Sequence, residues 1–121
     1  ALERTDGPLV LDPAPLVAAV LVDRDRGVDR RLVAAGFHEG IGRAGAEAAV
    51  VLARQRGLDS VALTGGVFQN ARLTEVVETA LRAAGLEVLV HRSVPANDGG
   101  ISIGQAAVAA ARGAEGGKPT Y

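Results

Sequence analysis

Two short stretches gather the residues that could do chemistry. In LTGGVFQN, residues 63 to 70, Gly65 and Gly66 follow an apolar run and Asn70 stands just before a helical pattern. Glycine reaches backbone angles that other residues resist, and without a Cβ it lets a ligand come close to the main chain. A helix start just beyond adds unpaired N–H groups and the positive end of a dipole, which suit a phosphate. The same pattern also describes a plain strand-to-helix turn, with Asn70 as the helix N-cap. In PANDGG, residues 95 to 100, Asn97 and Asp98 could cap the last helix, or Asp98 could offer a hard oxygen to a divalent metal. One carboxylate does not make a metal site, so the other ligands would come from elsewhere.

Other motifs are missing. No Lys-Ser/Thr pair follows Gly66, so this is not a Walker loop, and neither a GxGxxG fingerprint nor a GxSxG elbow occurs. His38 and His91 are the only histidines. His38, beside Phe37 in a helical stretch, reads as a packed or partly exposed residue, whereas His91 falls at the end of a strand, on the edge where ligands gather. Thr64 precedes the glycines without an obvious base and is not read as a nucleophile. No residue is assigned a catalytic role from the sequence.

The elements that must hold these residues fit one domain, since 121 residues bury a real core but leave no room for a second. That core is aliphatic: Phe37, Phe68 and Tyr121 are the only aromatic residues, so platforms for stacking bases are nearly absent. With 13 basic and 14 acidic side chains, no field draws the domain to nucleic acid or an anionic membrane. There is no cysteine, which excludes a disulfide framework, a thiolate nucleophile and cysteine-based zinc motifs. The N-terminus lacks a signal-peptide pattern, and no apolar stretch reaches the ~18 residues of a membrane span, so a soluble cytoplasmic protein is expected.

Along the chain, Asp6-Gly7-Pro8 suggests a turn, LVLD a short strand or extended arm, and APLVAAVLVDRD a first helix opened by prolines. The charged residues from Asp23 to Arg31 read as a solvated face or helix junction. A long helix is expected from about residue 30 to the C-cap Gly57; Gly36, Gly40, Gly42 and Gly45 predict either a kink or a very close neighbour. Residues 60 to 64 and 86 to 91 read as buried strands flanking a helix over 71 to 85, a right-handed βαβ unit with parallel strands. Both glycine-bearing loops then lie at the carboxyl edge of the sheet and should share one cleft. ISIGQAAVAAARG forms a last apolar helix, with Gly104 admitting a neighbour, and the domain ends near residue 112, followed by a flexible tail over 113–121.

VALTGGVFQNARL followed by LVHRSVPANDGGISIGQA closely resembles the C-terminal end of the HypF family, carbamoyltransferases of NiFe hydrogenase maturation. AAGFHEGIGRAGAEAAVVLA resembles the helix before these loops, and the likeness runs from about residue 30 to residue 111. Antibiotic O-carbamoyltransferases and tRNA threonylcarbamoyladenosine synthases share parts of the pattern. The resemblance implies the second lobe of an actin-like, Hsp70-like ATPase (ASKHA) domain, with a parallel βαβ core packed with helices. It implies ATP and carbamoyl phosphate as substrates, carbamoyl adenylate as intermediate, and the C-terminal cysteine of HypE as carbamoyl acceptor. By the same resemblance Gly65 and Gly66 approach the phosphate and ribose of the nucleotide, Asn70 assists, and Asn97, Gly99 and Gly100 shape the pocket. Asp98 would ligate the metal (Mg, Zn or Fe) together with histidines of the preceding lobe. That lobe and the acylphosphatase-like, zinc-finger and YrdC-like parts of the family are not in this sequence. A fragment with little activity, weak nucleotide affinity and a tendency to self-associate is therefore expected. Two expectations compete with it: an enzyme of the same fold whose acceptor is an antibiotic hydroxyl or tRNA adenosine, and a non-catalytic module whose apolar helices dock a partner.

Overall fold

The computed structural model describes residues 2–3 and 9–114. Strand β1 (Leu2–Glu3) pairs antiparallel with β2 (Val10–Leu11), Leu2 opposite Leu11. Of the two readings of LVLD the short strand is the one present, with a partner that two residues of sequence could not announce. The expected turn at Asp6-Gly7-Pro8 lies outside the described residues.

Helix α1 (Ala14–Asp25) starts where Pro13 and Pro15 cost no hydrogen bond, and the Ala14 N–H donates to Asp12 Oδ1 at 2.9 Å. The charged stretch after it is the expected solvated junction: Arg24 and Asp25 pair at 2.8 Å with both side chains two-thirds exposed. Such a pair stabilises little. Asp29 caps helix α2 (Arg30–Arg56) by accepting from the Arg31 N–H at 2.7 Å, and Gly57 closes it at φ +65°. Two of the helix's glycines are explained by contact. A Cβ on Gly42 would stand 2.7 Å from Val76 Cγ1, and one on Gly40 would stand 2.6 Å from Leu16 Cδ1. Close neighbours therefore decide these two positions. Gly36 and Gly45 face open space, and nothing in the structure explains them.

Strands β3 (Ser60–Leu63) and β4 (Glu87–Val90) are parallel, in register from Ser60 opposite Glu87 to Leu63 opposite Val90. Helix α3 (Ala71–Ala83) connects them, so the βαβ unit expected from the change of period is present. Leu73, Val76, Val77 and Leu81 form one stripe of α3 at helical spacing, and all four are buried. The core joins Leu73, Val77 and Leu81 of that stripe to Leu63, Leu86 and Val88 from the sheet side and to Ala46 and Ala53 of α2. Leu81 is completely buried. Only one face of the two-stranded sheet is covered. Val61, Leu63, Val88 and Val90 turn toward the core, while Ala62 and Leu89 on the other face are exposed.

After β4 the chain passes through a loop and a 3-10 turn (Asp98–Gly100) into helix α4 (Ile101–Ala114). Every residue of α4 is exposed, Ile101, Ile103 and Val108 included. No atom comes within 4 Å of a Cβ built on Gly104, so the neighbour expected there is absent among the described residues. The helix runs through the expected ISIGQAAVAAARG stretch and one residue further, to Ala114; residues 115–121 lie outside the described part. Among the described residues no helix is long and apolar enough to cross a membrane.

Candidate functional site

The two glycine-bearing loops meet. At the end of β3, Gly65 adopts φ +98°, a conformation that side-chain-bearing residues rarely take, and its N–H donates to the Ala96 carbonyl at 2.7 Å. One strong backbone bond therefore fastens the first loop to the second. A Cβ on Gly66 would lie 3.8 Å from Asn97 Cβ, an ordinary contact, so Gly66 stands directly over the second loop. Residues Gly66–Gln69 then form a 3-10 turn, closed by Phe68 N–H to Gly65 O and Asn70 N–H to Val67 O, each at 3.1 Å. A strand-to-turn-to-helix path replaces the direct strand-to-helix turn.

Asn70 is the N-cap of α3: its Oδ1 accepts from the Leu73 N–H at 3.1 Å. With Oδ1 so used, Nδ2 is the donor toward His38 Nε2 at 2.8 Å. The His38 Nδ1 proton goes to the Ala34 carbonyl at 2.7 Å, because a carbonyl can only accept. The ring is thus fixed as the Nδ1-protonated tautomer, and Asn70 joins α2 to the start of α3. His38 is half-buried, as its place beside Phe37 suggested.

In the second loop the capping role falls to Asn97, whose Oδ1 accepts from the Gly99 N–H at 3.0 Å while its carbonyl accepts from Gly100 N–H at 2.9 Å. Gly100 is required by the protein itself, since a Cβ there would meet the Pro95 carbonyl oxygen at 2.5 Å. A Cβ on Gly99 would crowd Asn97 Oδ1 at 3.1 Å. Asp98 differs from its neighbours: it is exposed and makes no side-chain hydrogen bond or ion pair among the described residues. Its carboxylate is free to meet a cation. Among the described residues no three His, Asp or Glu side chains gather to hold a metal, so Asp98 does not complete a metal site within this chain.

One pairing escaped the sequence reading. Thr64 and His91 directly follow the last paired residues of their strands, and Thr64 Oγ1 lies 3.2 Å from His91 Nε2. Thr64 does have an imidazole beside it. The signal was available in principle, since SVAL and EVLV pair in parallel and the next residue of each must then be neighbours. A cavity of 610 Å³ is lined by Phe68 and Gln69 at the far end of the first loop together with Thr74 and Arg82, and one of 380 Å³ lies between α1 and α2; neither is lined by Gly65, Gly66 or the second loop. The loops meet on an open surface.

This arrangement has a counterpart among known proteins. Residues 1–105 match the family model described as the second subdomain of the carbamoyltransferase Kae1-like domain, of HypF. The chain belongs to the HypF carbamoyltransferase family. It is 36% identical over 105 residues to the carbamoyltransferase HypF of Synechocystis sp. and 41% identical over 102 residues to that of Rhodobacter capsulatus. These alignments cover 86% and 84% of the chain but only 13% of either relative, so the chain spans about an eighth of their length. Among solved structures, full-length HypF in its phosphate- and nucleotide-bound form superimposes with a TM-score of 0.81 at 32% identity, over 90% of this chain and 14% of that one. The HypF of T. kodakarensis gives 0.72 at 32% identity, over 83% and 13%.

Proposed function

We propose that this chain is the nucleotide-facing lobe of a HypF-type carbamoyltransferase, one half of an actin-like, Hsp70-like ATPase cleft. The observation that carries the reading is the bond from Gly65 N–H to Ala96 O, which holds both loops together at the carboxyl edge of a parallel sheet. That edge is where open α/β sheets place ligands. The likeness to a HypF structure described as phosphate- and nucleotide-bound supports it.

In this reading the whole enzyme combines carbamoyl phosphate and ATP into carbamoyl adenylate and passes the carbamoyl group to the C-terminal cysteine of HypE. Gly65 and Gly66 give the nucleotide a surface without side chains. Asn97, Gly99 and Gly100 keep the opposing loop narrow, and Asn70 holds the first loop against α2. Asp98 supplies one oxygen to a metal (Mg, Zn or Fe) whose other ligands come from outside this chain. Catalysis then rests on positioning and on neutralising phosphate charge, both of which need the opposite wall of the cleft. Little carbamoyl transfer is therefore expected of the chain alone.

The test is a titration of the isotopically labelled chain with Mg-ATP, followed residue by residue by NMR. Shifts centred on Gly65, Gly66 and Asp98 are expected. Silence there at millimolar nucleotide, or shifts confined to α1, would sink the reading. The exposed apolar residues of α4 favour one further reading, a surface that docks another protein part; in a HypF-type enzyme that part is the preceding lobe.

A further inference from the structure

The ends of β3 and β4 carry two polar side chains that the loops do not use. Thr64 and His91 lie one residue beyond the Leu63–Val90 pair, and strand alternation puts them on the sheet face that is not packed against the core, with Ala62 and Leu89. Both are exposed, and their side chains meet at 3.2 Å. An exposed side-chain hydrogen bond competes with water and adds little to strands already joined by a backbone ladder. Holding the sheet together does not account for it.

Position gives the pair another use. Thr64 is bonded directly to Gly65, the residue whose N–H is locked to Ala96, so the hydroxyl springs from a fixed backbone at the mouth of the glycine loop. A threonine hydroxyl has one proton to give and two lone pairs to offer. When His91 carries its proton on Nε2 and donates it to Oγ1, the Thr64 proton is left to point elsewhere. An anionic oxygen is its strongest acceptor. The reverse arrangement, with Nε2 accepting, would consume that proton within the pair.

We propose that Thr64 donates a hydrogen bond to a phosphate oxygen of the nucleotide lying over Gly65 and Gly66, and that His91 is the positioning residue that frees the hydroxyl proton for it. This rests on the nucleotide-facing reading above and adds to it two side chains, Thr64 and His91, that act on the phosphate and not on the base. No bond is made or broken. The pair binds and orients.

The experiment compares Mg-ATP and adenosine binding to the full chain by NMR for wild type, Thr64→Val, Thr64→Ser, His91→Ala and His91→Gln. Losing a hydrogen bond to a charged partner corresponds to about tenfold in affinity or more. Thr64→Val and His91→Ala should weaken Mg-ATP by about that factor and leave adenosine unchanged. Thr64→Ser keeps the hydroxyl and His91→Gln keeps an N–H donor, and each should return affinity to within about twofold of wild type; a purely structural role would not follow hydroxyl and donor in this way. Long-range ¹H–¹⁵N spectra of the His91 ring should show the proton on Nε2 in the Mg-ATP complex. Wild-type binding that Thr64→Val leaves unchanged overturns the pair's role while the nucleotide reading stands. Equal weakening of adenosine and Mg-ATP overturns the assignment to phosphate. Absence of any wild-type shift at Gly65 and Gly66 overturns both.

Discussion

The two faces of the β3/β4 sheet have opposite characters. On one, Leu63 and Val88 are buried against α3, whose own stripe runs to the fully buried Leu81. On the other, Leu89 is 51% exposed, Ala62 is uncovered, and the strands end in Thr64 and His91. Parallel sheets are ordinarily covered on both faces. Stability in this chain therefore comes from one side, and the other is left uncovered by the described residues. The difference teaches that one packed sheet face is enough to build a core around α3 while the other face stays open.

The largest expected effect lies on the packed side. Leu81→Ala should lower unfolding stability by about 2–5 kcal/mol in denaturant titration, since it empties a completely buried position. A loss below that range would mean the core relaxes around it, and the contrast between faces would blur. Next come the helix glycines. Gly42→Ala should destabilise by about 1–3 kcal/mol, because the new methyl lands 2.7 Å from the stiff Val76 side chain and overpacking outweighs the gain in helix propensity. Gly45→Ala, with nothing within 4 Å, should instead stabilise by up to ~1 kcal/mol. Thermal unfolding of the pair measures both signs at once, and a shared sign would refute the close approach of α2 to α3. The smallest change in stability belongs to the open side. Ile103→Ser on α4 should stay within about 0.5 kcal/mol of wild type, yet reduce any concentration-dependent association seen by light scattering. A clean wild-type monomer at high concentration would count against self-association through α4.

Much of the fold was legible because its signals are local. Gly57 and Asn70 cap the helices their residue types announced, and the strand periods either side of α3 gave the parallel unit. The site was legible in part: the loops could be placed at one edge, and their direct contact through Gly65 and Ala96 agrees with that. The neighbour expected at Gly104 is not found among the described residues, since a glycine in a helix signals either a close neighbour or nothing, and sequence does not tell which. Gly40 and Gly42 followed the first rule, Gly36 and Gly45 the second.

The sequence by itself determined the order of elements, their caps, and the edge on which the two glycine loops stand, because each depends on residues within a turn or two of one another. Only the tertiary structure decided that Asn70 reaches His38, that Thr64 reaches His91, and that α4 and one sheet face stay uncovered. Those pairs are 32 and 27 residues apart, and contacts at such separations are set by how α2, α3 and the strands pack. Packing sums many small contacts over the whole chain, and no local pattern carries that sum.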